Sequence, residues 1–365
     1  MLSFVNPEVY LVNNSKSFLY PMSSKKNLFS FLLPAIFCLA CGHTTQKNTE
    51  TVFEKNTSYE LVKDWPQLPE GFVLGNPSGI GVDRNQNIFV FHRAYRKWVL
   101  PCPADSIITA PTILMLDRNC GKILSSWGQN LFIMPHGLKV DKDDNIWVTD
   151  VWLHQVFKFS HEGKLLMKLG KAHVPGNDPE HFNLPTDVAI TPDGSFYVSD
   201  GYGNSRVVKF SAAGKYLFEW GKKGNGPGEF DTPHSINLDA QGNVYVADRE
   251  NSRIQVFNPE GKYLKEWDNE KSDKVYALAF DKTKTNLVAV DYEINDTTPK
   301  GSDIFLFGSD LTKIKQFGKS GSYAGPVGRY HDVVMDDEES IYVGDILGNR
   351  IQKFRKLPSR EASSK

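Results

Sequence analysis

The chain has 365 residues, with 42 lysines and arginines against 43 aspartates and glutamates, for a formal net charge of −1. That balance gives no footprint for nucleic acid or for an anionic membrane surface. The composition is 40% hydrophobic and 12% aromatic, and the 29 glycines and 20 prolines fall between short runs, which predicts a large core built from strands and turns.

The N-terminus reads as a targeting segment. From Met22 the sequence runs MSSKKNLFSFLLPAIFCLACGHTTQ, two lysines followed by an apolar run too short and wrongly flanked for a membrane span. Residues 1–41 are read as an export signal, with Met22 as its true start. Cys41, after Leu39-Ala40 and before Gly42, resembles a bacterial lipoprotein lipidation site; ordinary cleavage and an uncleaved anchor are the alternatives. The expectation is an exported lipoprotein of the cell envelope that meets the membrane only through an N-terminal lipid. The polar stretch 42–58 is read as a flexible tether. Cys102 and Cys120 are candidates for a disulfide in an exported protein, and no CxxC spacing points to metal ligation by them.

Six related segments then follow, starting at Ser78, His136, Thr186, His234, Tyr276 and His331. Each opens with a short apolar alternation and an acidic turn. A strand ending mostly in aspartate comes next, then a polar corner and a third alternating strand. Period-2 alternation between turn signals marks half-buried strands, and four strands per repeat of about 49 residues is the size of a propeller blade. The predicted fold is all-β, a six-bladed β-propeller over 59–355 with a disordered tail at 356–365. The last repeat stops after its third strand at Phe354, so a strand near Tyr59–Lys63 is expected to supply the fourth and close the ring. A closed ring of this kind is expected to be a monomer.

Histidine occupies the repeat start only in blades two, four and six, as His136, His234 and His331, 98 and 97 residues apart. Alternate blades of a six-bladed ring lie about 120° apart and their innermost strands start at one channel mouth. Three imidazoles can therefore converge on one ion with a fourth position open, the ligand set of a catalytic zinc; imidazole also suits copper, iron and nickel. Asp332 follows the third histidine and is a candidate either to orient a ligand or to bind a harder cation, whereas Asp187 at the same place in blade three looks ordinary. Asp150, Asp200, Asp248, Asp291 and Asp345 end the second strands, with His92 in blade one. They read as architectural acceptors for turn amides. Arg206 and Arg253 read as links between neighbouring blades. Corners that break the pattern are more informative: Arg93, Arg249, and Tyr202 between Gly201 and Gly203 are candidate site residues, because an arginine fork recognises a carboxylate bidentately.

The set FHR, PHGL, WVTDV, LHQVFKF, HFNLPTDVA, VSDGYGNSR, PHS, VADRENSRIQ and HDV resembles the peptidyl-α-hydroxyglycine α-amidating lyases, the lyase half of peptidylglycine α-amidating monooxygenase, among the NHL-repeat propellers. The resemblance covers about 71–354. It implies zinc on His136, His234 and His331, and a channel calcium held by the Asp332 side chain and the carbonyls of Leu138 and Ile80. It implies Tyr202 and Arg93 as the catalytic tyrosine and arginine, and Arg249 as a further active-site arginine. The implied substrate is a small molecule or peptide ending in α-hydroxyglycine, cleaved to an amide and glyoxylate. Two disulfides of animal members are replaced as whole pairs, by Asn183 and Gly203 and by Tyr245 and Val256, and the third histidine follows Tyr330 where the others follow proline. Two other readings remain: a non-catalytic NHL propeller that binds a protein or glycan at the cell envelope, and a lactonase-like metal-dependent hydrolase.

Overall fold

The computed structural model describes residues 58–99, 106–269, 273–295, 298–319 and 327–358. The export signal, Cys41, most of the tether, Cys102 with its pairing to Cys120, and the tail beyond 358 lie outside the described residues. What is described is 25 strands in six antiparallel sheets, with no helix.

Each sheet is one blade, and its strands follow one another outward from the axis. The innermost strands are Pro77–Val82, Pro135–Val140, Asp187–Ile190, Pro233–Leu238, Lys274–Phe280 and Tyr330–Met335. Blade five carries an extra strand, Thr298–Gly301, paired to the end of Leu287–Asn295. Closure of the ring follows the sequence expectation. Tyr59–Leu61 adds antiparallel to Arg350–Lys356 as the outer strand of blade six, with Tyr59 opposite Lys356 and Leu61 opposite Phe354.

The period-2 alternation buries both faces of most strands, because each blade is sandwiched between two others. The six apolar clusters all lie between blades. Trp147, Val188 and Phe196 join blades two and three, while Tyr197, Phe230 and Ile236 join three and four. Tyr276, Val290, Tyr330 and Phe354 join five and six. Each large apolar side chain buried this way contributes about 1.5–3 kcal/mol, so no blade holds a core of its own and the ring is stable only as a whole.

Aspartates fix the turns. Asp141 accepts the amides of Asp143 and Asn145, and the fourth residue of that turn, Asp144, sits at φ 60°. The same place is Gly194 in blade three and Gly242 in blade four, where a positive φ costs a glycine nothing. The strand-ending aspartates are architectural, as their recurrence suggests. Asp150 accepts four backbone amides, from Ile133, Met134, Trp152 and Leu153. Arg206 and Arg253 each bind such an aspartate together with carbonyls of the loop arriving from the preceding blade.

Tyr59 is 5% exposed and stacks on Phe317 with centroids 5.3 Å apart and planes 10° apart. Tyr59→Ala therefore removes the main apolar anchor of the closing strand. The expected loss is about 3 kcal/mol, read as a lower urea midpoint with an unchanged slope; an unchanged midpoint would show that this strand does not hold the ring.

Candidate metal centre and adjoining cavity

A register shift falls at the start of five of the six innermost strands. Pairing skips from Pro233 to Ser235 and from Tyr330 to Asp332, so His234 and His331 sit on bulges; His136 lies within the skip from Pro135 to Leu138. A bulge frees one residue from the ladder and re-aims its side chain. Here it sends an imidazole inward from a strand whose other residues pack between blades.

The three rings meet with centroids 4.6–4.8 Å apart. Each Nδ1–H donates to the carbonyl that opens the next blade: His136 to Thr186 at 2.7 Å, His234 to Tyr276 at 2.7 Å and His331 to Ser78 at 2.8 Å. Those carbonyls can only accept, so Nδ1 carries the proton and every Nε2 keeps its lone pair for the axis. Candidate ligand atoms of all three lie within 4.8 Å of one another, and the residues are buried. Burial first, then Arg93, Arg249 and the neighbouring imidazoles, push the three pKa values well below the ordinary histidine value. Neutral, tautomer-fixed imidazoles converging on one point are what a metal needs. Tyr330 in place of proline changes nothing here, since it pairs with Asp345 as Pro233 pairs with Asp248.

The phenol oxygen of Tyr202 lies 3.1 Å from His136 Nε2 and 3.0 Å from His234 Nε2, and receives a hydrogen bond from Arg249 Nη1 at 3.0 Å. The Tyr202 loop is held by backbone bonds, Tyr202 N–H to Leu184 O and Gly203 N–H to Asn183 O. A Cβ on Gly203 would lie 2.2 Å from the Asn183 side chain, and Tyr245 pairs directly with Val256, so both substituted crosslink positions are neighbours in space. Burial raises the Tyr202 pKa, and Arg249 and Arg93 only partly offset it.

A cavity of about 340 Å³ adjoins this cluster, lined by Arg93, Arg249, Arg329, Tyr202, Trp98 and His331 among others, and with no carboxylate in its described lining. Arg93 is 1% exposed; its Nε donates to the Pro135 carbonyl, its guanidinium lies 5.0 Å from the Trp98 ring centroid, and its Nη2 has no partner among the described residues. Burial lowers its pKa to about 10, which leaves it charged at neutral pH. Arg249 is already engaged by Glu250 and Tyr202. The three residues singled out in the corners are thus brought to one place with the histidines. Sequence reasoning missed Trp98, which packs at a tilt against Tyr202, and Arg329, which donates to the Tyr276 hydroxyl and lies over Tyr292. Trp98 sits in a non-repeating insertion, and Arg329 lies two residues before the sixth repeat start, outside the aligned positions.

Beyond the histidines lie Asp332, the expected calcium ligand, and Asp187. Asp332 accepts the amides of Ile80 at 2.8 Å and Val333 at 2.9 Å. Lys139 Nζ approaches both acids, 3.1 Å from Asp187 and 3.8 Å from Asp332. Asp187, which looks ordinary in the sequence, also accepts Ser235 Oγ and the Ile236 amide. Burial opposes the charge on Lys139, but Asp187 and Asp332 outweigh it and hold the ammonium above its ordinary pKa. Burial and the facing Asp187 carboxylate push the Asp332 pKa up to about 7, against the Lys139 ammonium and the two backbone amides. The carboxylate expected to hold calcium with the Leu138 and Ile80 carbonyls thus has an ammonium beside it.

Two family models match: a six-bladed β-propeller family (DUF5128) over residues 187–296 and the NHL repeat over 132–159. Peptidyl-glycine alpha-amidating monooxygenase B of Xenopus laevis is 35% identical over 88% of this chain and 38% of its own length. Peptidyl-alpha-hydroxyglycine alpha-amidating lyase 2 of Drosophila melanogaster is 40% identical over 52% of this chain and 49% of its own. The propeller is homologous to the peptidyl-α-hydroxyglycine α-amidating lyases. The chain spans between 38% and 49% of the length of these two relatives. Among solved structures a streptogramin B lyase aligns with a TM-score of 0.52 at 15% identity, covering 78% of this chain and 95% of that one, a likeness of fold alone.

The corner that delivers Arg93 departs from its counterparts. His92 stands where the other blades have aspartate, and its Nδ1 accepts the amides of Ala94 at 3.1 Å and Gly75 at 3.4 Å. That role needs an unprotonated Nδ1, and burial lowers the pKa to about 4. Between pH 6.5 and about 4 the unfolded chain binds a proton that the folded chain refuses, so stability falls as pH drops through this window, by about 1.4 kcal/mol per pH unit. His92→Asn keeps an acceptor without a titrating ring. Urea denaturation from pH 7 to 4.5 should show a pH slope shallower than wild type by about that amount; an identical slope would contradict the role given to the neutral ring.

Proposed function

We propose that the chain is a metal-dependent carbon–nitrogen lyase that cleaves a peptidyl- or N-acyl-α-hydroxyglycine to the amide and glyoxylate, with zinc held by His136, His234 and His331. One observation carries the reading. A tyrosine hydroxyl within 3.1 Å of two lone-pair-bearing imidazole nitrogens faces a cavity furnished with buried arginines and no described carboxylate. A non-catalytic binding module has no use for that arrangement. A lactonase-like centre would want carboxylates at this mouth, where the described lining offers imidazole, phenol and guanidinium.

Three neutral imidazoles with an open position favour zinc. When bound, such an ion supplies Lewis acidity, lowering the pKa of a substrate hydroxyl brought to it. The remaining work falls to this chain's own groups. The substrate carries one carboxylate on its hydroxyl-bearing carbon, and Arg93, with a buried Nη2 that has no partner among the described residues, is placed at the cavity to receive it. Arg249 donates to the Tyr202 oxygen and stabilises negative charge on it. Burial, helped by the neighbouring Tyr276, keeps that phenol protonated; Arg249 and Arg93 act in the opposite sense, as a cation at the histidines would. In the reaction Tyr202 takes the hydroxyl proton, the C–O bond becomes a carbonyl, the C–N bond breaks, and the proton passes to the leaving amide nitrogen. Glyoxylate and amide are the two products.

Glyoxylate release from a synthetic N-acyl-α-hydroxyglycine tests this. Tyr202→Phe is expected to lower kcat by about 10²–10⁴-fold. Arg93→Met is expected to lower kcat/KM by about 10²-fold or more. Wild-type turnover by Tyr202→Phe would remove the tyrosine from the mechanism, and no glyoxylate from folded, metal-loaded wild type would reject the substrate class.

A further inference from the structure

We propose that the Lys139 ammonium is the built-in cation of the propeller channel, and that it takes the place of calcium between Asp187 and Asp332. The observation is positional. Lys139 lies three residues after His136 in the innermost strand of blade two, and the same place in the other blades holds Gly81, Ala189, Asn237, Ala279 and Val334. Small side chains at most of these positions leave the axis open at that level, which is where one long side chain finds room. Lys139 fills it. Its side chain is 14% exposed, and it reaches from blade two toward Asp187 of blade three and Asp332 of blade six.

The ammonium and a calcium ion are alternatives for one place: Lys139 Nζ lies 3.1 Å from an Asp187 oxygen and 3.8 Å from an Asp332 oxygen, where a cation bridging the two acids would sit, and a divalent cation beside a buried ammonium sets two positive charges against each other. Ligand supply points the same way. Calcium takes about six to eight oxygens, whereas both oxygens of Asp332 and both of Asp187 already accept protein donors. On the histidine side only about 10 Å³ is open between the imidazoles and these carboxylates, room for about one water. The lysine therefore clips three blades together without any dissociable ion. The propeller's stability becomes independent of calcium, and the metal requirement of the molecule is confined to the histidine centre.

The full chain, purified in calcium-free buffer, is measured by elemental analysis and by thermal melts with and without 1 mM (roughly 100-fold over a 10 µM site) CaCl2. Wild type is expected to hold calcium at well under about 0.1 per chain and to shift in Tm by less than about 1 °C, whatever its zinc content. Lys139→Ser opens the site, and should take up about one calcium per chain and rise in Tm by more than about 5 °C when calcium is added. Lys139→Arg, which keeps the charge, should stay insensitive. About one calcium per wild-type chain, or a wild-type Tm that rises by several degrees, would overturn the proposal. So would a folded Lys139→Ser that ignores calcium. Should Lys139→Ser fold only in the presence of calcium, that dependence supports it, and if it fails to fold at all the two wild-type measurements decide.

Discussion

The functional centre depends on one repeated hydrogen bond, from a histidine Nδ1–H to the first carbonyl of the next blade. It fixes the tautomer, the ring plane and the distance of each imidazole from the axis, and it makes each ligand a contact between blades. The bond from His331 to Ser78 joins residues 253 apart in sequence and crosses the seam where the ring closes. A three-histidine centre therefore cannot form in a partial ring. The short strand Tyr59–Leu61, far from any chemistry, secures the seam on which the third ligand rests. Apolar clusters set between blades, with none inside a single blade, give the same cooperativity from the packing side.

Along the channel the polar groups are sorted by sign. At the tyrosine mouth lie Arg93, Arg249 and Arg329, with no carboxylate in the described cavity lining. The neutral imidazoles come next, and beyond them Asp187 and Asp332 with Lys139. In a low-dielectric interior such sorting is costly unless each layer is answered. The acids are answered by Lys139 and by backbone amides. Among the arginines, Arg249 has Glu250 and Tyr202, while Arg93 retains an unpartnered nitrogen. An incomplete charge balance at one mouth, beside converging lone pairs, is the signature of a site arranged for an anionic ligand.

Much of this was legible in the sequence because the repeat states position. Once six starts are aligned, His136, His234 and His331 fall on alternate blades by counting alone, and Tyr202, Arg93 and Arg249 stand out as corners that break the pattern. Less was legible where a residue's meaning depends on its neighbours across the axis. Lys139 reads as an ordinary strand lysine until the small residues at its level are seen together, and Asp187 looks unremarkable until Lys139 is beside it. The bulges that turn the histidines inward leave no trace in hydrophobic period, since pairing shifts without any change in composition. Trp98 comes from an insertion with no counterpart to align. His92 hides a substitution of chemistry for role, a neutral ring doing what a carboxylate does elsewhere.

The central claim is that the three histidines hold the ion on which turnover depends. The most direct measurement titrates metal-free protein with Zn²⁺ while following glyoxylate release from an N-acyl-α-hydroxyglycine. The account predicts no turnover at the start, a linear rise to about one equivalent and then a plateau, with His234→Ala flat throughout. Full turnover by the metal-free protein, or a His234→Ala variant that follows the wild-type curve, would contradict it.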